Sequence, residues 1–454
     1  MILLIIATAM KLIQYMIGTE SPVLVFPPRY FKELRALPDD VLSFVEAADE
    51  AAQAKYTQIH DHDGMIAHIL KSKLTPSLAR ISPMISNEVQ NALQIELPPC
   101  DDWTSVKVYP KMLRIITIVS GRILVGPELG QSEEWIDAAT GFASEVLAAI
   151  QAIWTVSPWK RWFVCPFLSE VRTLEARVKK FVRFLTPVVE QRLHLLDDDV
   201  ERPDDMLQWF VDLAKSKGAE VDVDKIARRQ LATSFAAIQP TTSASTNALY
   251  TLATMPEFVA ELRDEIRDVL ATHGRHYSSK ALYSMKKLDS FLKESLRFHP
   301  ENIAVFGRKV IRTFTLSDGL VVPAGVLVEI PAHAVSMDPV TFPEPQKFDP
   351  LRFYRLREEQ HHTDEDQQVG DDHNNAQNQL VSVTNTNLVF GYGRHACPGR
   401  FFAANELKMI IINIIMNYDI RLEEGVTERY SNNVVGLRSL PSVNDTLQFK
   451  RVRV

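Results

Sequence analysis

The stretch Phe390–Gly399, reading FGYGRHACPG, constrains this chain more than any other. It sets Cys397 among three glycines and a proline, in a chain of 454 residues whose only other cysteines are Cys100 and Cys165. The glycines admit backbone conformations and close approaches that a Cβ would block, and Pro398 removes one backbone donor. A loop built this way can hold a thiolate rigidly while neighbouring N–H groups point at the sulfur. The competing reading is a small buried cysteine in a tight turn, a common fate of a free thiol.

Composition narrows what surrounds that loop. Hydrophobic residues make up 46% and charged residues 24%, the balance of a globular protein able to enclose a large ligand. A net charge of −7 lacks the basic excess of nucleic-acid binders, so none is expected as a partner. Three scattered cysteines form neither a disulfide framework nor a C-x-x-C zinc pair, which points to a reducing compartment. The first eighteen residues, MILLIIATAMKLIQYMIG, are apolar apart from Thr8, Lys11, Gln14 and Tyr15. A spanning helix needs about 20 such residues. A cleaved signal would carry positive charge before the run and small residues at its end, and neither is clear. Residues 1–20 are expected to anchor the chain in a membrane, with a soluble segment as the alternative.

Along the chain, Val23 to Phe26 predicts a strand. Arg29 to Phe44 predicts helix, with a second short one opening at Pro38-Asp39-Asp40. His60, His62 and His68 have no third-ligand pattern beside them and read as ordinary polar residues. Leu74–Leu97, Trp103–Val125 and Glu133–Trp154 carry helical periodicity. Trp154, Trp159, Trp162 and Phe163 cluster around Pro158 and are expected mainly in core or interface contacts, a membrane-facing or substrate-entry surface being the alternative. Thr173–Leu195 reads as a basic amphipathic helix. Val223–Met255 predicts a helix rich in small residues and hydroxyls, kinked at Pro240. Glu294 and Arg297, three apart, share a helix face. Pro300–Ile330 reads as a small sheet of short strands. Arg355–Gln379 is charged and almost free of apolar residues, and is expected to be an exposed insertion with His361, His362 and His373 solvated. Arg400–Asn417 predicts an amphipathic helix starting just past Cys397, and short strands close the chain. The fold class is mostly α with small β-sheets.

The loop FGYGRHACPG resembles the haem-binding loop of the cytochrome P-450 family, F-x-x-G-x-R-x-C-x-G. Phe390, Gly393, Cys397 and Gly399 match, and His395 stands where that family has arginine. The resemblance covers roughly residues 23–454 and implies the cytochrome P-450 fold, with one catalytic domain over 21–454 after the segment 1–20. It implies haem b ligated by the Cys397 thiolate and bordered by Phe390, Gly391 and His395. It implies a propionate contact from Arg308, and a buried network of Glu294, Arg297 and Arg352. The family's W-x-x-x-R contact has no counterpart; Lys71, Lys73 and His68 are the nearby substitutes. In the central helix the family's proton-delivering threonine falls on Thr241, with Thr242 one residue on. The acid before it is replaced by Pro240, preceded by Gln239, so protons would travel through hydroxyls and water.

The stretches KYT, LSDG and DSFLKES make the chain most similar to fungal members active in secondary metabolism. Microsomal members of that kind carry an anchor, a hinge, a first helix and a first strand before the stretch resembling VLVFPPRYFKEL; here Val23 almost follows the apolar run, which suggests a shortened amino terminus. The implied reaction is monooxygenation of an apolar small molecule, a terpenoid, alkaloid or polyketide. Electrons would come from NADPH–cytochrome P-450 reductase, for which Arg394, Arg400 and Lys408 are candidate docking residues. The implied protein is a monomer on the endoplasmic reticulum membrane, facing the cytosol. A reductase-independent haem-thiolate isomerase or dehydratase, and a non-catalytic haem protein, are the alternatives.

Overall fold

A computed structural model describes residues 13–15, 22–59, 64–194, 202–216, 218, 221–274, 277–366 and 377–452. The helices that build the site are α1 (Phe44–Ala52), α2 (Thr75–Glu96), α3 (Val108–Leu124), α4 (Glu133–Thr155), α5 (Ser169–His194), α6 (Met206–Ser216), α7 (Val223–Leu252), α8 (Pro256–His273), α9 (Lys286–Phe298), α10 (Arg352–Asp366) and α11 (Arg400–Asn417). The axis of the molecule is α7, which starts on Asp222, whose side chain accepts from the Lys225 N–H at 3.1 Å. It runs unbroken through Pro240 and is flanked by α3, α4, α5, α9 and α11. Their inward faces merge into one apolar core reaching from Met65 to Phe449.

A five-stranded sheet lies to one side, in the order Ile13–Tyr15, Val23–Val25, Leu327–Ile330, Val305–Val310, Leu42–Ser43. Val23–Val25 runs parallel to its Leu327 neighbour, and the other pairs are antiparallel. This sheet covers a second, smaller apolar cluster around Phe26, Phe31, Phe306 and Leu388. A three-stranded sheet joins Thr104–Lys107, Thr446–Arg451 and Tyr418–Leu422, and two hairpins complete the β content.

Several expectations are corrected. Residues 38–41 form a turn rather than a helix, and Leu42–Ser43 pairs with Val310 and Lys309, because a distant strand offers hydrogen bonds the local sequence does not announce. Thr104–Lys107 is strand for the same reason. The Arg355–Gln379 region is helical to Asp366, and Arg357 is buried in an ion pair with Asp289. Helix α11 is buried on every side from Glu406 to Ile415, and so is a core helix, not an amphipathic one. Of the aromatic cluster, Trp154 packs half-buried against the core as expected, whereas Trp159 and Trp162, each 69% exposed, and Phe163 lie outside with the neighbouring Phe167. His60, His62 and His373, and most of segment 1–20, lie outside the described residues; within that segment Ile13–Tyr15 is a strand. Among the described residues α4 is long and apolar enough to cross a membrane, but its apolar side, with Trp135, Phe142 and Ile153, lies in the core.

Candidate active site

The Phe390–Gly399 loop enters beneath the sheet and leaves as α11. Gly391 and Gly393 take φ of +73° and +70°, a left-handed conformation that only glycine adopts without strain. At Gly393 a Cβ would also meet the Arg35 side chain at 3.0 Å. The loop closes on itself through the Cys397 N–H, which donates to Phe390 O at 2.8 Å. Cys397 Sγ then accepts from the N–H groups of Gly399 and Arg400, where the first turn of α11 has no earlier carbonyl for them. Burial pushes the Cys397 thiol up, and these two N–H groups and the Arg400 charge only partly offset it. A bound metal cation reverses that balance, since a coordinating thiol is deprotonated outright.

Beside the loop, Arg308 is buried on its strand between the rings of Phe306 and Phe44, at 4.3 and 5.0 Å from their centroids. Its Nη1 donates to Gly307 O at 2.7 Å, and among the described residues no carboxylate bonds it. Burial pulls its pKa down to about 10. His395 stacks on the Phe44 ring at 5.0 Å and lies 3.2 Å from Asp39, which also accepts from Arg394 at 2.7 Å. Asp39 acts on it only at a distance; a buried guanidinium that no carboxylate bonds directly is costly, and an anionic group of a ligand would bond it.

The central helix presents small residues to open space: Ala236 and Pro240 are exposed and Ala244 half-buried, at i, i+4 and i+8. Thr241 and Thr242, buried next to them, donate back to Ala237 O and Ile238 O at 2.8 Å each. Gln239 turns away, its Oε1 accepting from the Tyr109 hydroxyl at 2.9 Å. Ser243, Ser245 and Thr246 bury hydroxyls that find no partner among the described residues.

Glu294, Arg297 and Arg352 meet as one buried set. Arg297 grips both Glu294 oxygens at 2.7 and 2.8 Å, and Arg352 Nε reaches Oε1 at 3.2 Å. The excess positive charge is taken up by carbonyls, Ser336 O for Arg297 and Pro343 O and Lys347 O for Arg352. The Asp349 N–H adds a fourth bond to Glu294. Of the residues considered for docking, Arg394 is exposed, but Lys408 is buried, donating to Leu282 O at 2.9 Å and pairing with Asp289. Lys408 is therefore removed from that role. His68, Lys71 and Lys73 are exposed. Sequence reasoning missed Asp289, the hub joining Arg357, Lys408 and the Leu380 N–H; its only signal was an acid among the apolar positions of α9.

A family profile described as cytochrome P-450 matches residues 57–448. The chain belongs to the cytochrome P-450 family. It is 39% identical over 434 residues to the cytochrome P-450 monooxygenase ATR3 of Stachybotrys chlorohalonatus, covering 95% of this chain and 89% of that one. It is 35% identical over 416 residues to the cytochrome P-450 monooxygenase BOA4 of Botryotinia fuckeliana, covering 90% and 80%. A retinoic-acid-bound cyanobacterial CYP120A1 shares the fold, with a TM-score of 0.67 at 16% identity over 97% of this chain and 92% of the other. This cytochrome P-450 is thus a haem-thiolate monooxygenase carrying haem b, supplied with electrons by a reductase and acting on an apolar small molecule. The residues fit that cofactor: a cysteine with two N–H groups on its sulfur, a buried cation that no carboxylate bonds among the described residues, and at Gly399 a position where a Cβ would meet no protein atom within 4 Å.

Proposed function

We propose that Cys397 is the axial haem ligand of a fungal secondary-metabolism monooxygenase, and that Arg308, with His395 beside it, binds a propionate. The observation that carries this reading is the pair of N–H groups, from Gly399 and Arg400, aimed at a sulfur in a loop that two left-handed glycines keep rigid. When bound, the haem supplies oxygen activation, favoured by electron donation from a thiolate. Gly391 and Phe390 shape the loop, Phe390 O fixing the Cys397 amide. Proton delivery falls to the middle of α7. Pro240 has no N–H for Ala236 O, so the open face carries a carbonyl able to hold water. Thr241, next in the chain, moves its proton by releasing Ala237 O. Thr242 bonds its own backbone in the same way, and Gln239 is held by Tyr109; both support the helix rather than donate.

The cytochrome works as a monomer on the endoplasmic reticulum membrane, facing the cytosol. The membrane association is supported by the exposed Trp159, Trp162, Phe163 and Phe167 in the turns between α4 and α5. Aromatic residues favour the membrane–water interface. Arg394 and Arg400 face the reductase.

The test is a carbon-monoxide difference spectrum of the reduced protein beside Cys397→Ala. A red-shifted thiolate-type Soret band in the parent, lost in the variant, is the expected result. Retention of that band without Cys397 overturns the ligand assignment.

A further inference from the structure

An open cleft of about 450 Å³ lies against the Cys397 loop, lined by Ala396 and Tyr392 of the loop itself and by Arg35, Thr384, Asn385 and Arg400. Clefts of this size hold a small organic molecule. The charge on its wall has one sign. Two arginines contribute to it and, among the described residues, no aspartate or glutamate does.

Both guanidinium groups are held in place, and neither is paired with a carboxylate among the described residues. Arg35, on the short helix Phe31–Ala36, donates from Nη1 to the Tyr392 hydroxyl at 3.1 Å and lies 5.1 Å from the centre of that ring. Gly393 makes room for it, since a Cβ there would meet Arg35 Cδ at 3.0 Å. Arg400, the first residue of α11, donates from Nη1 to Cys397 O at 2.9 Å and lies over the Phe401 ring at 4.4 Å. The neighbouring Arg394 differs, because Asp39 neutralises it. Asn385 is exposed and adds a side-chain amide, a further donor. The Arg400 charge also acts on the Cys397 sulfur, where it favours the thiolate.

We propose that this cleft is a regulatory site for the dianion of a phosphate monoester, gripped by Arg35 and Arg400, and that its occupation opposes docking of the reductase. Two positive charges with no acid beside them call for a ligand carrying two negative ones, and the planar arginine fork matches phosphate oxygens. The cleft is larger than a bare phosphate needs, so the organic part of the ester lies in it too. A dianion bound there neutralises positive charge on the face that Arg394 and Arg400 turn toward the reductase. This second half rests on the reading of that face given above; the binding site itself does not.

Calorimetric titration of the haem-loaded protein with phenyl phosphate, at constant ionic strength set with sodium chloride, tests the binding. Saturable binding is expected, weakened about tenfold in Arg35→Gln and about tenfold in Arg400→Gln, the factor for losing a hydrogen bond to a charged group. Phenyl sulfate, of the same shape with one charge, is expected to bind more weakly than phenyl phosphate. Arg183→Gln removes an exposed charge from α5 instead and is expected to leave binding unchanged. No binding by the parent, undiminished binding by Arg35→Gln/Arg400→Gln, or an equal loss in Arg183→Gln overturns the site. The carbon-monoxide band of each variant shows that it folds. Stopped-flow reduction by NADPH–cytochrome P-450 reductase tests the second half. Phenyl phosphate is expected to slow reduction of the parent, compared with sodium chloride at the same ionic strength, and not that of Arg35→Gln. An unchanged rate in the parent overturns the opposition to docking. A protein that the reductase never reduces sinks the monooxygenase reading instead, and the calorimetric result stands apart from it.

Discussion

At the scale of single residues, Glu406 shows what burial does when no cation is near. Its carboxyl, carried by α11, is fully buried, accepting from Ser120 Oγ at 2.8 Å, with Oε2 finding no partner among the described residues. Burial pushes it up to about 8 from an ordinary 4.5. Between those two pH values the folded chain keeps a proton that the unfolded chain has released, so stability falls as pH rises through the window and levels off above it. Replacing Glu406 with Gln is expected to flatten that slope and to raise stability at pH 8, with each pKa unit worth about 1.4 kcal/mol. Urea midpoints of parent and variant at pH 5, 6.5 and 8 check this; parallel curves would refute it. Asp289 is the opposite case. It is equally buried, yet Lys408 and Arg357 hold it at about 2, well below the usual carboxylate range.

At the scale of elements, the brace of Glu294, Arg297 and Arg352 joins α9 to the start of α10 and to the carbonyls between them. Arg352 makes its bonds with a planar fork that lysine cannot reproduce. Arg352→Lys is expected to cost about 3 kcal/mol, in the range for breaking a buried charge pair, and to lower the haem content of the purified protein. A loss under about 1 kcal/mol in chemical denaturation would show the brace to be dispensable. This element was readable only through the family resemblance, since Glu294 and Arg297 three apart would otherwise read as a weak surface pair. The Cys397 loop was readable because its glycines and proline are local. Strand Leu42–Ser43 was not, since its pairing comes from Val310 and Lys309, far along the chain. Nor was the burial of Lys408, which depends on Asp289 from another helix. The Glu301–Arg438 ion pair was hidden for the same reason: two ordinary charges meet only when the hairpin Asn433–Leu440 docks. Periodicity alone likewise cannot distinguish a helix with one apolar face from one enclosed on all sides, and this is how α11 was misjudged.

At the scale of the whole molecule, the aromatic side chains between α4 and α5 place four large rings on the surface, Lys160 lying 4.8 Å above the Trp159 ring. Exposure was not foreseeable from composition, because the same residues would have served a core had the turns folded inward. The triple variant Trp159→Ser/Trp162→Ser/Phe167→Ser is expected to lose most of its sedimentation with phosphatidylcholine–phosphatidylserine vesicles while keeping its carbon-monoxide band. Unchanged sedimentation would remove the patch from any membrane role. The region around residues 357–380 has a different property. Arg357 donates to Asn378 O at 3.1 Å, Lys293 to Gln377 O and Gln379 O at 2.9 Å each, and the Leu380 N–H to Asp289 at 2.9 Å. The chain is thus fastened to the body on both sides of residues 367–376, before it continues to the Cys397 loop. Whatever is spliced between those fastenings, a longer linker, an epitope or a fused reductase, hangs from two fixed posts, so the Cys397 loop is insulated from its length.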